Sequence, residues 1–387
     1  MITTVSQHQK LMDRLDHAVQ YYPYYRSLSH MMNREMDAEK LLAQFPIMDK
    51  NILHVHRAEL ELPITGTTGE SFTSGTTGVP FRCVKSVDEM MKLSLVMYKH
   101  REKWGLPVRH RMLLVSNMMT CAPSDCERYL KQMMEQQPHF IQGPASALSA
   151  IADYIVSRGK SLRFPSNLQF IQNWGESLHP QQKENIEQVF QRPVVNYYGL
   201  EEFWCVAFSN RNGKLEIDEE AVYVEVLDPL TGSQVGDGEM GEIIVTSYYM
   251  KSLPFIRYRT GDMGAMVKEK DGQKILDLLP IRYEHIRLRE GQLPASVFHD
   301  LDKFFTQLSQ EFGFKGYQMI QLDYEIFRLC LAPGYGELPL FMIQARVSSF
   351  LKYYIHEQVV VEVESVKRIA PHPYTGKVHT FVTQIQP

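Results

Sequence analysis

From Ser6 to Tyr22 apolar residues recur at mixed spacings of three and four, which predicts a helix, and Pro46-Ile47-Met48-Asp49-Lys50 marks a turn into another helix. The rhythm changes at Arg111. Short apolar runs at Met112–Val115, His139–Ile141 and Leu168–Ile171 alternate with helical patterns at Glu127–Gln136 and Ala145–Ser157. A helix over Pro180–Phe190 then precedes a strand over Pro193–Tyr197. This alternation predicts an α/β sheet with crossover helices. Near Ala221 the texture shifts again: Val222–Leu227 and Glu242–Thr246, separated by Asp228-Pro229 and Gly/Asp turns, predict an antiparallel β region. A boundary falls around Leu279-Pro280-Ile281-Arg282, after which ~100 residues suffice for a small mixed α/β domain.

The chain has 387 residues, 44% of them hydrophobic, enough to bury the cores of two domains. Its net charge of -4 argues against a nucleic-acid partner, whose electrostatic footprint is a basic domain or stripe. The start, Met1 to His8, lacks a basic segment followed by an apolar run, and no later run reaches spanning length, so the expectation is a cytoplasmic protein without a membrane partner. Cys83, Cys121, Cys126, Cys205 and Cys330 are scattered and odd in number, the usage of reduced thiols. Cys121, Cys126 and His139 lack the paired spacing of a structural zinc site.

The densest chemistry lies in Ser71-Phe72-Thr73-Ser74-Gly75-Thr76-Thr77-Gly78-Val79-Pro80. Glycines let backbone N–H groups converge on an anion, and hydroxyls add neutral donors, so the loop suits a phosphate. It is no Walker loop, because Phe81 stands where a lysine is expected. A surface turn is the competing reading, and a second tetrad at Gly66-Thr67-Thr68-Gly69 shows how readily the pattern arises. Further along, Trp174-Gly175-Glu176 and Tyr197-Tyr198-Gly199-Leu200-Glu201-Glu202 end predicted strands, where ligands of open α/β sheets bind. Tyr258-Arg259-Thr260-Gly261-Asp262 is read as a turn after the β region.

These segments, in this order, resemble the adenylate-forming superfamily of acyl and aryl ligases, and within it the phenylacetate-CoA-ligase-like branch. The likeness extends from Pro23-Tyr24-Tyr25-Arg26 through Gly238-Glu239-Met240-Gly241-Glu242 and Pro254-Phe255-Ile256-Arg257-Tyr258 to Thr375-Gly376-Lys377. It implies an α/β fold with a large N-terminal nucleotide- and acid-binding domain over 1–280. A small mobile α+β domain over 281–387 would carry the lysine loop, with ATP at the junction. The implied reaction joins a substrate carboxylate to the α-phosphate of ATP, giving acyl-AMP and pyrophosphate, and then passes the acyl group to a thiol of coenzyme A or of a carrier-protein phosphopantetheine. Because the first step joins two anions, it needs donors, Mg²⁺ and a cation.

The resemblance assigns expectations residue by residue. Ser74, Gly75, Thr76, Thr77 and Gly78 would hold phosphates. Gly175 and Glu176 match the adenine-binding segment, with Tyr198 and Gly199 beside the nucleotide. Asp262 would accept the ribose hydroxyls and Gly261 would permit its turn. Arg259 is either a ligand contact or half of a surface ion pair. Arg282 with Glu284 marks the hinge and a ribose contact, although the family's glycine and paired aspartates are absent there. Glu202 is the acidic residue near Mg²⁺, and Lys377 the adenylation cation. Glu201 departs from the hydroxyl residue of many relatives: a second carboxylate there repels phosphate unless it points away, is protonated or helps hold the metal. His139, Phe140, Gly143, Ala145, Ser146, Trp174, Phe203 and Trp204 are the expected acid-pocket lining, and their aromatic density suits a flat aryl acid. The expected function is thus ligation of a small, aromatic acid to a thiol in a biosynthetic pathway. A binding protein without turnover is the alternative, and a kinase is disfavoured by the missing motifs.

Overall fold

The structure, a computed structural model, describes residues 6–73, 81–116, 119–159, 163–334, 336–372 and 376–385. Ser6 caps α1 (Gln7–Tyr21) by accepting the Gln9 N–H, and the stripe Leu11, Leu15, Ala18 faces the core. Arg14 on the same helix is buried, and its guanidinium donates to the carbonyls of Ser247 and Met250 at 2.9 and 2.6 Å. Helices α2 (Ala38–Leu42), α3 (Lys50–Val55, capped by Asp49) and α4 (Arg57–Leu60) complete the lead-in.

Strands β1 (Thr68–Thr73) and β2 (Phe81–Ser86) pair antiparallel and feed α5 (Val87–Glu102) through a Ser86/Glu89 capping box. The chain then alternates strand and helix: β3 (Met112–Leu114), α6 (Pro123–Gln136), β4 (Phe140–Gly143), α7 (Ala145–Ser157), β5 (Phe170–Asn173), α8 (Pro180–Phe190) and β6 (Val194–Tyr198). Strands β3 to β6 lie parallel in sequence order. The same sheet continues antiparallel through β7 (Ala207–Ser209), β8 (Leu215–Ile217), β9 (Val222–Leu227), β10 (Met240–Ser247), β11 (Tyr258–Lys268) and β12 (Lys274–Arg282), in the order β6-β7-β8-β12-β11-β10-β9. The last segment packs α9 (Ala295–Phe312) and α10 (Leu340–Tyr354) against a four-stranded sheet ordered β15-β14-β13-β16. Its strands are β13 (Phe314–Asp323), β14 (Ile326–Pro333), β15 (Val360–Ser365) and β16 (Phe381–Thr383).

The alternating and antiparallel regions stand where the hydrophobic pattern predicts them, with three corrections. The helix expected from Glu127 begins at Pro123, because proline suits the first helical turn. The strand expected at Leu168–Ile171 is displaced to Phe170–Asn173. Asp262 does not lie at a turn: it sits within β11, opposite Arg282 of β12, at a register shift. Gly261, with φ +79°, accommodates that irregularity, and a Cβ there would strike the Arg282 guanidinium. The expected division at 280/281 falls inside β12, which runs on to Arg282.

Glu89 joins distant parts of this fold. Its buried carboxylate accepts the N–H groups of Ser86, Lys251 and Ser252 at 2.6, 2.5 and 2.7 Å, and the Ser252 hydroxyl at 2.8 Å. Burial opposes its ionisation, but those donors prevail and hold the carboxyl below its ordinary range. Glu89→Ala should therefore destabilise the fold by about 2–4 kcal/mol in urea titration. Since the folded pKa is depressed, this contribution is present above the ordinary carboxylate range and is lost as pH falls through the depressed value. The urea midpoint of the wild type should accordingly drop more steeply with acid than that of Glu89→Gln.

Candidate functional site

The carboxyl ends of β4, β5 and β6 open onto one region, and the segments following them supply its walls: Ala145 and Ser146, then Trp174–Glu176, then Gly199–Glu202. Asn173, fully buried at the end of β5, donates to the Glu176 carbonyl at 2.9 Å and to Asn196 Oδ1 at 2.8 Å, which pins the Trp174–Glu176 turn. Gly175 takes φ +74° there, and a Cβ on it would lie 3.2 and 3.3 Å from Cε and Nζ of Lys377. The lysine of the C-terminal loop therefore rests directly on the turn.

Glu176 holds the lysine loop in place. Its carboxylate accepts the Ser146 N–H at 2.9 Å, the Ser146 hydroxyl at 3.0 Å and the Val378 N–H at 2.7 Å. Burial raises the Glu176 pKa, against the opposing pull of those donors and of the Lys377 charge. Lys377 is shifted the other way: burial lowers its pKa, opposed by the negative field of Asp262, Glu176, Glu202 and Glu201. Neighbouring His379 is lowered to about 4 by burial and by the charges of Lys377, His372 and Arg282.

Across the region, Asp262 accepts the Tyr198 hydroxyl at 2.7 Å, and Arg282 Nε lies 3.2 Å from its other oxygen. Arg282 also donates to Glu284 and to the Thr260 carbonyl. Tyr198 is buried, and burial together with the Asp262 charge raises its pKa far above the ordinary phenol value, so it stays protonated and donates. Glu202 is also buried, accepts the Tyr258 hydroxyl at 2.7 Å and lies 3.4 Å from Lys50 Nζ. Glu201 is 40% exposed, with Lys85 Nζ 3.7 Å from its carboxylate.

The structure thus brings together Gly175, Glu176, Tyr198, Gly199, Glu201, Glu202, Asp262, Arg282 and Lys377. Gly143, Ala145, Ser146, Trp174 and Trp204 flank them at the strand ends. Ser74, Gly75, Thr76, Thr77 and Gly78 lie outside the described residues. Other expected members of the acid pocket are elsewhere. His139 and Phe140 stand at the opposite end of β4, about 10 Å or more from Gly143 at the strand rise. There His139 accepts the Arg111 N–H, and Phe140 stacks on Phe170 in the core. Phe203 points inward, edge-on to Phe255 and Tyr258. Arg259 pairs with Glu242 at 3.0 Å, the ion-pair alternative. Sequence reasoning assigned no role to Lys50, Lys85, Asn173 or Tyr258. Lys85 did carry a signal: it follows Phe81 and Cys83 at period two, so a lysine occupies an inward position.

Among the described residues no group of three or more His, Cys, Asp or Glu is arranged to hold a metal unaided. Glu202 fits the narrower task of a single carboxylate for Mg²⁺, an ion bound through one or two carboxylates together with substrate phosphates. No described helix is long and apolar enough to cross a membrane, and all five cysteines are free.

Residues 70–252 match the family model of the AMP-binding enzymes. The phenylacetate-coenzyme A ligase of Pseudomonas putida is 29% identical over 147 residues, which cover 35% of this chain and 32% of that protein. Protein CapK of Staphylococcus aureus is 28% identical over 156 residues, or 40% and 31% of the two chains. The matches thus span about a third of these curated relatives' length. Among solved structures, 2-hydroxyisobutyryl-CoA ligase in its postadenylation state with 2-HIB-AMP superposes with a TM-score of 0.69 at 16% identity, covering 93% of this chain and 85% of that one. An anthranilate CoA ligase with anthranoyl-AMP gives 0.55 at 14% identity, over 80% and 65%. The fold is that of the adenylate-forming CoA ligases.

Glu176→Ala removes the acceptor that ties the lysine loop to α7. Hydrogen exchange at the Val378 amide should then quicken by about tenfold or more, since protection tracks local opening. Unchanged protection would show that other contacts hold the loop.

Proposed function

We propose, for a chain that is adenylate-forming in fold and phenylacetate-CoA-ligase-like in sequence, that it activates a small carboxylic acid as acyl-AMP and transfers the acyl group to a thiol. The observation carrying this reading is the lysine of the C-terminal loop seated on the Trp174–Glu176 turn, facing Asp262, Glu201 and Glu202. A nucleotide between them would meet Asp262 at its ribose and Lys377 at its α-phosphate. A substrate carboxylate oxygen attacks the α-phosphorus and pyrophosphate leaves. The thiol sulfur then attacks the acyl carbon and AMP leaves. Lys377 supplies the cation that offsets repulsion between the two anions, in a partly dehydrated setting where charge stabilisation is strong.

Tyr198 and Arg282 hold the Asp262 carboxylate by hydrogen bond and ion pair, so it presents acceptors to ribose hydroxyls without reorganising. Bound Mg²⁺ would neutralise phosphate charge, with Glu202 as its protein ligand. The residues after β12 form the proposed mobile domain, carrying Lys377 in and out of the site between the two half-reactions. Coenzyme A is the thiol favoured by the named activities of the similar ligases; a carrier-protein phosphopantetheine offers the same nucleophile.

For the acid, an aromatic ring is favoured by the half-buried Trp174 and Trp204 flanking the strand ends. The phenylacetate and anthranilate ligases among the similar proteins support the same choice. An enzyme of this specificity fits a dedicated biosynthetic step.

Acid-dependent exchange of labelled pyrophosphate into ATP tests the proposal, because it reports adenylation without a thiol. Exchange is expected with benzoates, hydroxybenzoates or phenylacetate ahead of fatty acids. ATP and acid binding without exchange would instead identify a binding protein. Lys377→Ala should lower exchange roughly 10²–10³-fold, the scale of losing a transition-state charge contact. Because burial lowers the Lys377 pKa, its ammonium is lost as pH rises, so exchange should decline with alkali below the ordinary lysine range. Lys377→Arg should flatten that decline in a pH profile.

A further inference from the structure

Lys85 is a buried cation that the reaction scheme above does not use. It sits on β2 opposite Gly69, with its side chain 3% exposed. Its ammonium donates to the Glu201 backbone carbonyl at 2.6 Å, lies 3.7 Å from the Glu201 carboxylate and 3.5 Å from Ser71 Oγ, and stands 5.8 Å from the Trp204 ring centre. One ammonium therefore ties the β1–β2 hairpin to the loop after β6. A lysine enclosed this way pays dehydration, which a nearby carboxylate and a carbonyl acceptor offset.

Glu201 itself poses an electrostatic problem. It adjoins Glu202, and its charge reaches Lys377, so on the proposed reading of this site it borders the nucleotide phosphates. Two adjacent carboxylates beside a polyanion repel it unless one is neutralised.

We propose that Lys85 is a positioning residue that neutralises Glu201 and anchors its loop, so that the acidic pair Glu201–Glu202 can stand beside the phosphates of ATP. This rests on the nucleotide assignment made under the proposed function. Ser71 on β1 shares the ammonium, so the same contact also ties that strand to the loop after β6. Lys85 acts on the nucleotide through Glu201 and need not touch it.

The test compares MgATP binding by calorimetry for the full chain, Lys85→Gln, and Lys85→Gln combined with Glu201→Gln. Glutamine keeps a donor for the Glu201 carbonyl while removing the charge. Lys85→Gln should weaken MgATP binding by about tenfold or more, as the uncompensated Glu201 charge then repels the phosphates. The double variant, with neither charge, should recover to within about threefold of wild type. A loss that purely structural damage causes is not recovered by changing Glu201. A double variant still tenfold weaker than wild type, or Lys85→Gln binding as wild type does, would overturn the inference. Should Lys85→Gln not fold, the double variant measured against wild type decides alone. Wild-type ATP binding without pyrophosphate exchange would sink the ligase reading but leave this comparison decisive through binding. No ATP binding by the wild type would overturn both.

Discussion

One residue, Glu176, joins three separate pieces of chain: its carboxylate accepts from Ser146 in the first turn of α7 and from the Val378 N–H of the C-terminal loop, and its backbone carbonyl accepts from Asn173 at the end of β5. The arrangement is a matter of satisfaction. A partly dehydrated anion needs donors, and the unpaired N–H groups of a helix start and of an irregular loop need acceptors. Because Val378 follows Lys377 directly, satisfying Glu176 also determines where the Lys377 ammonium rests.

Around that joint the charges interleave. Lys50, Lys85, Arg282 and Lys377 face Glu202, Glu201, Asp262 and Glu176, and each carboxylate has a hydroxyl, an N–H or a cation in reach. Such balance lets an acidic cluster persist at a partly buried site, where unpaired charges would be costly. It also leaves the site neither strongly positive nor strongly negative.

The mixed sheet makes this convergence possible. Its parallel half delivers three strand ends to one edge, in the manner of open α/β sheets. Its antiparallel half carries Asp262 and Arg282 on neighbouring strands, locked in register across β11 and β12. The N-terminal segment braces that half: the Arg14 guanidinium reaches carbonyls at the end of β10 and just beyond it, Met48 bridges to Tyr258, and Lys50 approaches Glu202.

Much of this was legible along the chain. Periodicity placed α1, α7, α8 and the switch from crossover helices to antiparallel strands, because such patterns reflect local burial. The segments at 174–176, 198–202, 262 and 377 were legible as candidates because strand ends and motif order mark them, and the structure brings them together. What sequence reasoning misassigned was orientation: Phe140 shares a strand with Gly143 but occupies its far end, with His139 just before it, Phe203 faces inward, and Asp262 lies in a strand instead of a turn. By itself the sequence determined the elements and the residues from which a nucleotide site can be built. Only the tertiary structure decided the partners, since Lys85 meets Glu201, Tyr198 meets Asp262 and Glu176 meets Val378 across 116, 64 and 202 residues of chain. Electrostatic contacts act through space, and no local pattern encodes which distant strand will bring its charge alongside.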